Sequence, residues 1–179
     1  IVMTSEEHAD DIDNAVFPGG QGGPLMHNIA GKAVGFKEAL QPEFDEYAQQ
    51  VVDNADVLAE TFADHGFELV SGGTDTHLVL IDLRESHPDL PGSPAEDALA
   101  EAGIVLNANT VPGETRSPFN PSGIRAGTPS LTTRGFDEET IAEVGDLIYR
   151  VVDNHDDQRV IDEVSERIDE LCAAYPLYE

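Results

Sequence analysis

Apolar residues recur at helical spacing along much of the chain, and their phase locates the elements. Leu25, Met26, Ile29, Ala30, Ala33, Val34, Phe36 and Leu40 form one run. Pro24 suits its first turn, and this helix is expected to end near Gln41. A longer stripe of Phe44, Tyr47, Ala48, Val51, Val52, Ala55, Leu58, Ala59 and Phe62 predicts a helix from Pro42 to about His65, stopped by Gly66. Asp137 is an expected N-cap, with Phe136 stapled onto Ile141 and Val144, Leu147, Ile148, Val151 and Val152 continuing the face. Asp157 caps a last helix carrying Val160, Ile161, Val164, Ile168, Leu171 and Cys172 before Pro176.

Shorter elements lie between these helices. Phe67 to Ser71 and His77 to Leu83 read as strands around the turn residues Gly72 and Gly73. Ser93 is expected to cap a helix, with Pro94 at its first position, Glu96 completing a capping box and Gly103 ending it. Ile104 to Ala108 and Gly123 to Thr128 have strand character, whereas Asn109 to Pro121 holds three prolines and few apolar residues. A polar excursion between two short strands is where binding residues concentrate. The alternation from Phe67 onward predicts an α/β domain with a small, partly antiparallel sheet. The residues before about Gln41, whose glycine-rich turn follows no strand, look like the edge of another domain.

Charge changes the picture. Acidic residues number 36 against 9 basic ones, for a formal net charge of -27. The apolar residues make up 40% and are periodic, so the acid is a solvated surface on a folded core. Lys32 and Lys37 are the two lysines. This balance fits a salt-rich cytoplasm, where screening offsets like-charge repulsion, although an acidic interaction domain would share it. It disfavours nucleic acid and anionic membranes as partners. No segment has the apolar length of a membrane span. Cys172 is the single cysteine and lies on an apolar helix face, which favours packing over a reactive thiol. The chain begins at Ile1, and it is expected to be a piece of a longer protein.

Candidate chemistry is confined to three places. In FPGGQGGPLMH, Gly19, Gly20, Gly22 and Gly23 leave amides unobstructed before a helix start, which suits either an anion or a structural turn. The spacing is neither that of a dinucleotide fingerprint nor that of a Walker loop. Arg125, in SGIRAGTP, can grip a substrate carboxylate or form an internal ion pair. Asn109, Arg116 and Phe119 supply an amide, a cation and an aromatic surface, a set able to hold a flat heterocycle with an acidic tail. Taken singly, they are ordinary loop residues. Asp75 and His77 could share a strand face, but no third metal ligand is evident, and they are assigned structural roles, as is His27. Neither Ser71 nor Ser122 sits in a nucleophile elbow, so no catalytic residue and no metal is expected in this segment.

Five blocks, AVFPGGQGGPLMHNIAGKAVGFKEAL, LVSGGTDTHLVLIDL, NANTVPGETRSPF, SGIRAGTPSLTTRGF and LCAAYPLY, taken in order closely resemble serine hydroxymethyltransferase of a halophilic archaeon. That family is a pyridoxal-phosphate transferase of the aspartate-aminotransferase-like α/β fold. The resemblance spans essentially the whole chain. It implies that residues 1–41 are the end of the large cofactor domain and that 42–179 are a connecting helix plus the small carboxyl-terminal domain. Gly22 and Gly23 would bind pyridoxal 5'-phosphate through its phosphate across a homodimer interface. Arg125 would hold the carboxylate of serine or glycine, while Asn109, Arg116 and Phe119 would surround tetrahydrofolate or a related reduced pterin. The family's Schiff-base lysine belongs to a Thr-His-Lys segment upstream of the glycine turn. Lys32 and Lys37 follow that turn, so the segment alone is expected to be inactive. Two rivals are a detached folate- or anion-binding module and another enzyme of the same fold, such as an aminotransferase.

Overall fold

The computed structural model describes residues 2–177, so Tyr178, which closes the last of the five blocks, lies outside them. The chain divides into two units, residues 1–44 and 45–179.

The first unit opens with α1 (Glu6–Asn14), an acidic helix with Glu6 and Glu7 in its first turn, where carboxylates complement the exposed amide dipoles. It has no apolar stripe, and hydrophobic periodicity therefore does not find it. A wide helical turn follows over Ala15–Gly20, then α2 (Met26–Glu38). Leu25 occupies the N-cap, so Pro24 stands ahead of the first turn and not in it as expected. No residue of α1 or α2 is buried, and Leu25, Met26, Ile29, Val34 and Phe36 all face solvent.

α3 (Pro42–Asp64), which begins three residues before the second unit, buries Val51, Ala55, Leu58, Ala59 and Phe62 of the stripe that predicts it, while Tyr47, Ala48 and Val52 are half-buried and Phe44 is exposed. Gly66 at φ +81° reverses the chain, and the Phe67 amide donates to the Phe62 carbonyl at 3.0 Å. The four strands are β1 (Glu68–Leu69), β2 (Leu78–Asp82), β3 (Asn107–Asn109) and β4 (Gly123–Gly127). They form a wholly antiparallel sheet in the order β1-β2-β4-β3. Pairing in β3 begins later than the apolar run Ile104 to Ala108 suggests. Ile104 and Leu106 are buried ahead of the ladder, so their apolar character reports packing and not strand pairing.

The connecting helices are α4 (Leu83–Ser86), α5 (Gly92–Glu101) and α6 (Pro129–Arg134). The expected capping box on α5 does not form: Pro91 is the N-cap, and the Ser93 hydroxyl instead donates to the Phe119 carbonyl at 3.1 Å. Two long helices close the chain as predicted. Asp137 accepts the Thr140 amide at the start of α7 (Glu138–Asp153), and Asp157 accepts the Arg159 amide at the start of α8 (Gln158–Ala174).

Strand alternation then sorts the sheet into two unlike faces. Val79, Ile81, Ile124 and Ala126 join one buried cluster with Leu99 from α5 and Phe62, Ile141, Ile148 and Val164 from the long helices, and Cys172 packs at its edge. Fully burying a residue such as Phe62 contributes about 1.5–3 kcal/mol. The other face presents Leu78, Leu80, Asn107, Asn109 and Arg125, which the register sets side by side. Among the described residues, no helix is long and apolar enough to cross a membrane.

Candidate functional site

The open sheet face and the adjoining loop 110–122 gather the polar chemistry of the second unit. Arg125 projects from the middle of β4, opposite Leu80 on one side and Asn107 on the other. Its Nη2 donates to Asn107 Oδ1 at 3.0 Å. Among the described residues it has no carboxylate partner within ion-pair distance, although the chain carries four acids for every base (36 against 9). The internal ion pair, one of the two readings of this arginine, is therefore not formed there. An exposed guanidinium with one edge fixed by an amide retains donors for a bidentate partner. Asn109 shares the face one strand period on, with its Nδ2 donating to the Thr110 carbonyl at 2.7 Å.

Loop 110–122 has no ladder of its own and is held by side chains together with backbone bonds at its end, where the Leu83 amide donates to the Ser122 carbonyl at 3.0 Å. At its base, Arg84 donates through Nη2 to the Pro112 carbonyl and through Nη1 to the Gly113 carbonyl, both at 2.9 Å. Asp82, at the end of β2, accepts the same guanidinium at 2.6 to 3.1 Å. The Arg84 side chain, opposed by partial burial, holds the Asp82 carboxyl below the usual carboxylate range. Further along, Glu114 accepts the amides of Thr115, Arg116 and Ser122 and the Ser122 hydroxyl, at 2.8 to 2.9 Å. The Arg116 amide, with Ser122 adding to it against partial burial, brings the Glu114 carboxyl down to about 2.

These clamps set the remaining candidates at different places. Arg116 is half-buried, with Nη2 on the Pro88 carbonyl at 2.9 Å. Phe119 is 94% exposed, and its carbonyl is held by Ser93. Among the described residues, no hydrogen bond joins Arg116 or Phe119 to Arg125 or Asn109.

In the first unit, the four glycines of the turn separate into two pairs. Gly19 and Gly20 lie inside the wide turn, which ends where the Gln21 amide donates to the Val16 carbonyl at 2.7 Å, so of the four glycines it is Gly22 and Gly23 that lie clear of it. Gly22 and Gly23 follow it, and their amides have no partner among the described residues. Nothing lies within 4 Å of where a Cβ on either would stand. Leu25 makes no side-chain cap bond, and of the first-turn amides of α2 that of Asn28 is already taken by the Leu25 carbonyl at 3.0 Å.

The family model for serine hydroxymethyltransferase matches residues 3–148. The chain belongs to the serine hydroxymethyltransferase family. It is 77% identical over all 179 residues to the serine hydroxymethyltransferase of Halorubrum lacusprofundi, 72% to that of Haloarcula marismortui and 71% to that of Natronomonas pharaonis. In each case it spans all of this chain but only 42–43% of the relative's length. Family membership brings the pyridoxal-phosphate transferase fold of α/β class, and the organisms match the halophilic source expected from the charge balance.

Sequence reasoning did not find Asn107, Arg84 or Glu114. Asn107 could have been found, because it stands one strand period before Asn109. The role of Glu114 depends on the loop folding back over eight residues, which no local signal announces.

Proposed function

We propose that these residues are the carboxyl-terminal part of a serine hydroxymethyltransferase, with residues 1–41 ending the cofactor domain and 42–179 forming the connecting helix and small domain. The whole protein would interconvert serine and glycine and pass a one-carbon unit to tetrahydrofolate or a related reduced pterin. The observation that carries this reading is Arg125: an exposed arginine free of internal acids, on an open sheet face, in a chain of that family. Its guanidinium would hold the α-carboxylate of the amino acid by a bidentate pair and so orient the substrate.

The unpaired amides of Gly22 and Gly23, with open space around them, fit the phosphate of pyridoxal phosphate. In a homodimer they would serve the partner's site, and the exposed apolar residues of α2 supply surface for such packing. When bound, the cofactor supplies an electron sink for the bond broken at the amino acid's α-carbon. The amine that anchors its aldehyde would come from outside these residues, since Lys32 and Lys37 lie on α2 after the turn. Asn109, Arg116 and Phe119 would face the pterin. The acidic surface and the absence of a spanning helix among the described residues agree with a cytoplasmic enzyme.

The test is to assay the whole polypeptide in molar salt with pyridoxal phosphate. Serine should yield glycine only when reduced pterin is present, and Arg125→Lys should raise the serine KM by about tenfold or more through loss of the bidentate fork. Pterin-independent transamination, or a serine KM indifferent to Arg125, would exclude the proposal.

A further inference from the structure

Loop 110–122 carries Arg116 and Phe119 without a helix or strand to fix them, and one side chain supplies most of its internal order. Oε1 of Glu114 accepts the amides of Thr115 at 2.9 Å and Arg116 at 2.8 Å together with the Ser122 hydroxyl at 2.8 Å, and Oε2 accepts the Ser122 amide at 2.8 Å. Ser122 is 1% exposed, so these bonds are shielded from competing water at one end. Ser122 directly precedes β4, three residues before Arg125. The carboxylate therefore ties the Arg116 peptide to the start of the strand that bears Arg125.

We propose that Glu114 is a positioning residue of the reduced-pterin site, setting where Arg116 and Phe119 stand relative to β4. This rests on the reading that those two residues flank the pterin. Four donors converge on the side chain, and only an acceptor with two oxygens satisfies all of them. Glutamine would turn an NH2 group toward an N–H or O–H donor, and aspartate is one methylene too short to span both ends. Arg125, by contrast, is held by strand register and by Asn107, independently of Glu114. Glu114 should accordingly act on one substrate more than on the other.

A purely structural staple would affect both substrates together, and that difference supplies the test. In the whole enzyme, at constant molar salt, Glu114→Gln should raise the KM for reduced pterin by about tenfold or more while the serine KM moves by no more than about twofold. Glu114→Asp should recover part of the loss. Ser122→Ala removes one of the four bonds and serves if the glutamine variant does not fold; it should shift the pterin KM in the same direction, by less. Amide exchange at Arg116 and Ser122 should quicken about tenfold in Glu114→Gln. Equal changes in both KM values, no change in either, or unaltered exchange would overturn the proposal. A parent enzyme that cleaves serine without pterin dependence would instead overturn the functional reading, and this proposal with it.

Discussion

Replacing Gly92 by alanine tests how closely α5 is fastened to the strand that carries Arg125. The Gly92 amide donates to the Pro121 carbonyl at 2.7 Å, drawing the helix start against the beginning of β4. A Cβ built there would lie 2.2 Å from the Gly123 carbonyl oxygen and 3.2 Å from both the Gly123 carbonyl carbon and the Pro121 carbonyl oxygen. All three are backbone atoms, so no side chain can rotate away. Ordinary contact requires a displacement of about 1 Å, and β4 is hydrogen-bonded on both sides by β2 and β3. Alanine gains at most about 1 kcal/mol of helix propensity, and less at the first position of a helix. Overpacking against fixed backbone costs about 1–3 kcal/mol or more, so the net effect should be destabilisation of about 2 kcal/mol. Urea unfolding at constant potassium chloride measures it, because urea leaves the ionic strength unchanged whereas guanidinium chloride would screen the acidic surface. A variant within about 0.5 kcal/mol of the parent would refute the reasoning from backbone approach.

Three further outcomes follow from the same structure. Asn54 is fully buried, donating to Thr132 Oγ1 at 2.9 Å and to the Phe136 carbonyl at 3.0 Å; Asn54→Leu should cost about 1–3 kcal/mol in urea unfolding by leaving that carbonyl unpaired. The folded-state pKa of Glu114 is depressed to about 2, so its contribution is complete above the ordinary value of 4.5 and is lost as pH falls through about 2; a carboxyl titration followed by NMR with its midpoint near 4.5 would show the four bonds to be absent. Raising potassium chloride from about 0.1 M to 1 M shortens the screening length from about 10 Å to 3 Å and should raise the urea midpoint, because a net charge of -27 makes repulsion the dominant surface effect; a falling midpoint would mean that ion pairs such as Arg167 with Glu143 outweigh it.

The parts of the fold legible in the sequence are those whose cause is local. The stripe of α7 buries every residue that predicts it, those of α3 and α8 bury most of theirs, and Asp137 and Asp157 cap as their positions suggest. The helix α1 was not legible because acidic residues hide its period, and α6 was not because six residues are too few to show one. Ser93 shows how tertiary contact overrides a local motif: its hydroxyl serves the Phe119 carbonyl, and the helix takes Pro91 as its cap. At the candidate site, residue types were readable but their fixing was not. Arg125 could be recognised as unusual in so acidic a chain, yet whether an acid paired with it depended on strand register. Arg84 owes its role to the carbonyls of Pro112 and Gly113 far along the chain, and Glu114 owes its role to the loop that brings Ser122 back to it.

The amide that steadies Arg125 also marks a limit on how this protein can change. Its surface can collect acids by single substitutions over most of the outer helix faces, each one aiding solubility in brine. Asn107 is different. Conversion of its side-chain amide to a carboxylate, whether by mutation or by spontaneous deamidation as the molecule ages, would place a permanent anion 3.0 Å from the guanidinium. The arginine would then be occupied by its own chain, and adaptation to salt would at that one position become self-inhibition.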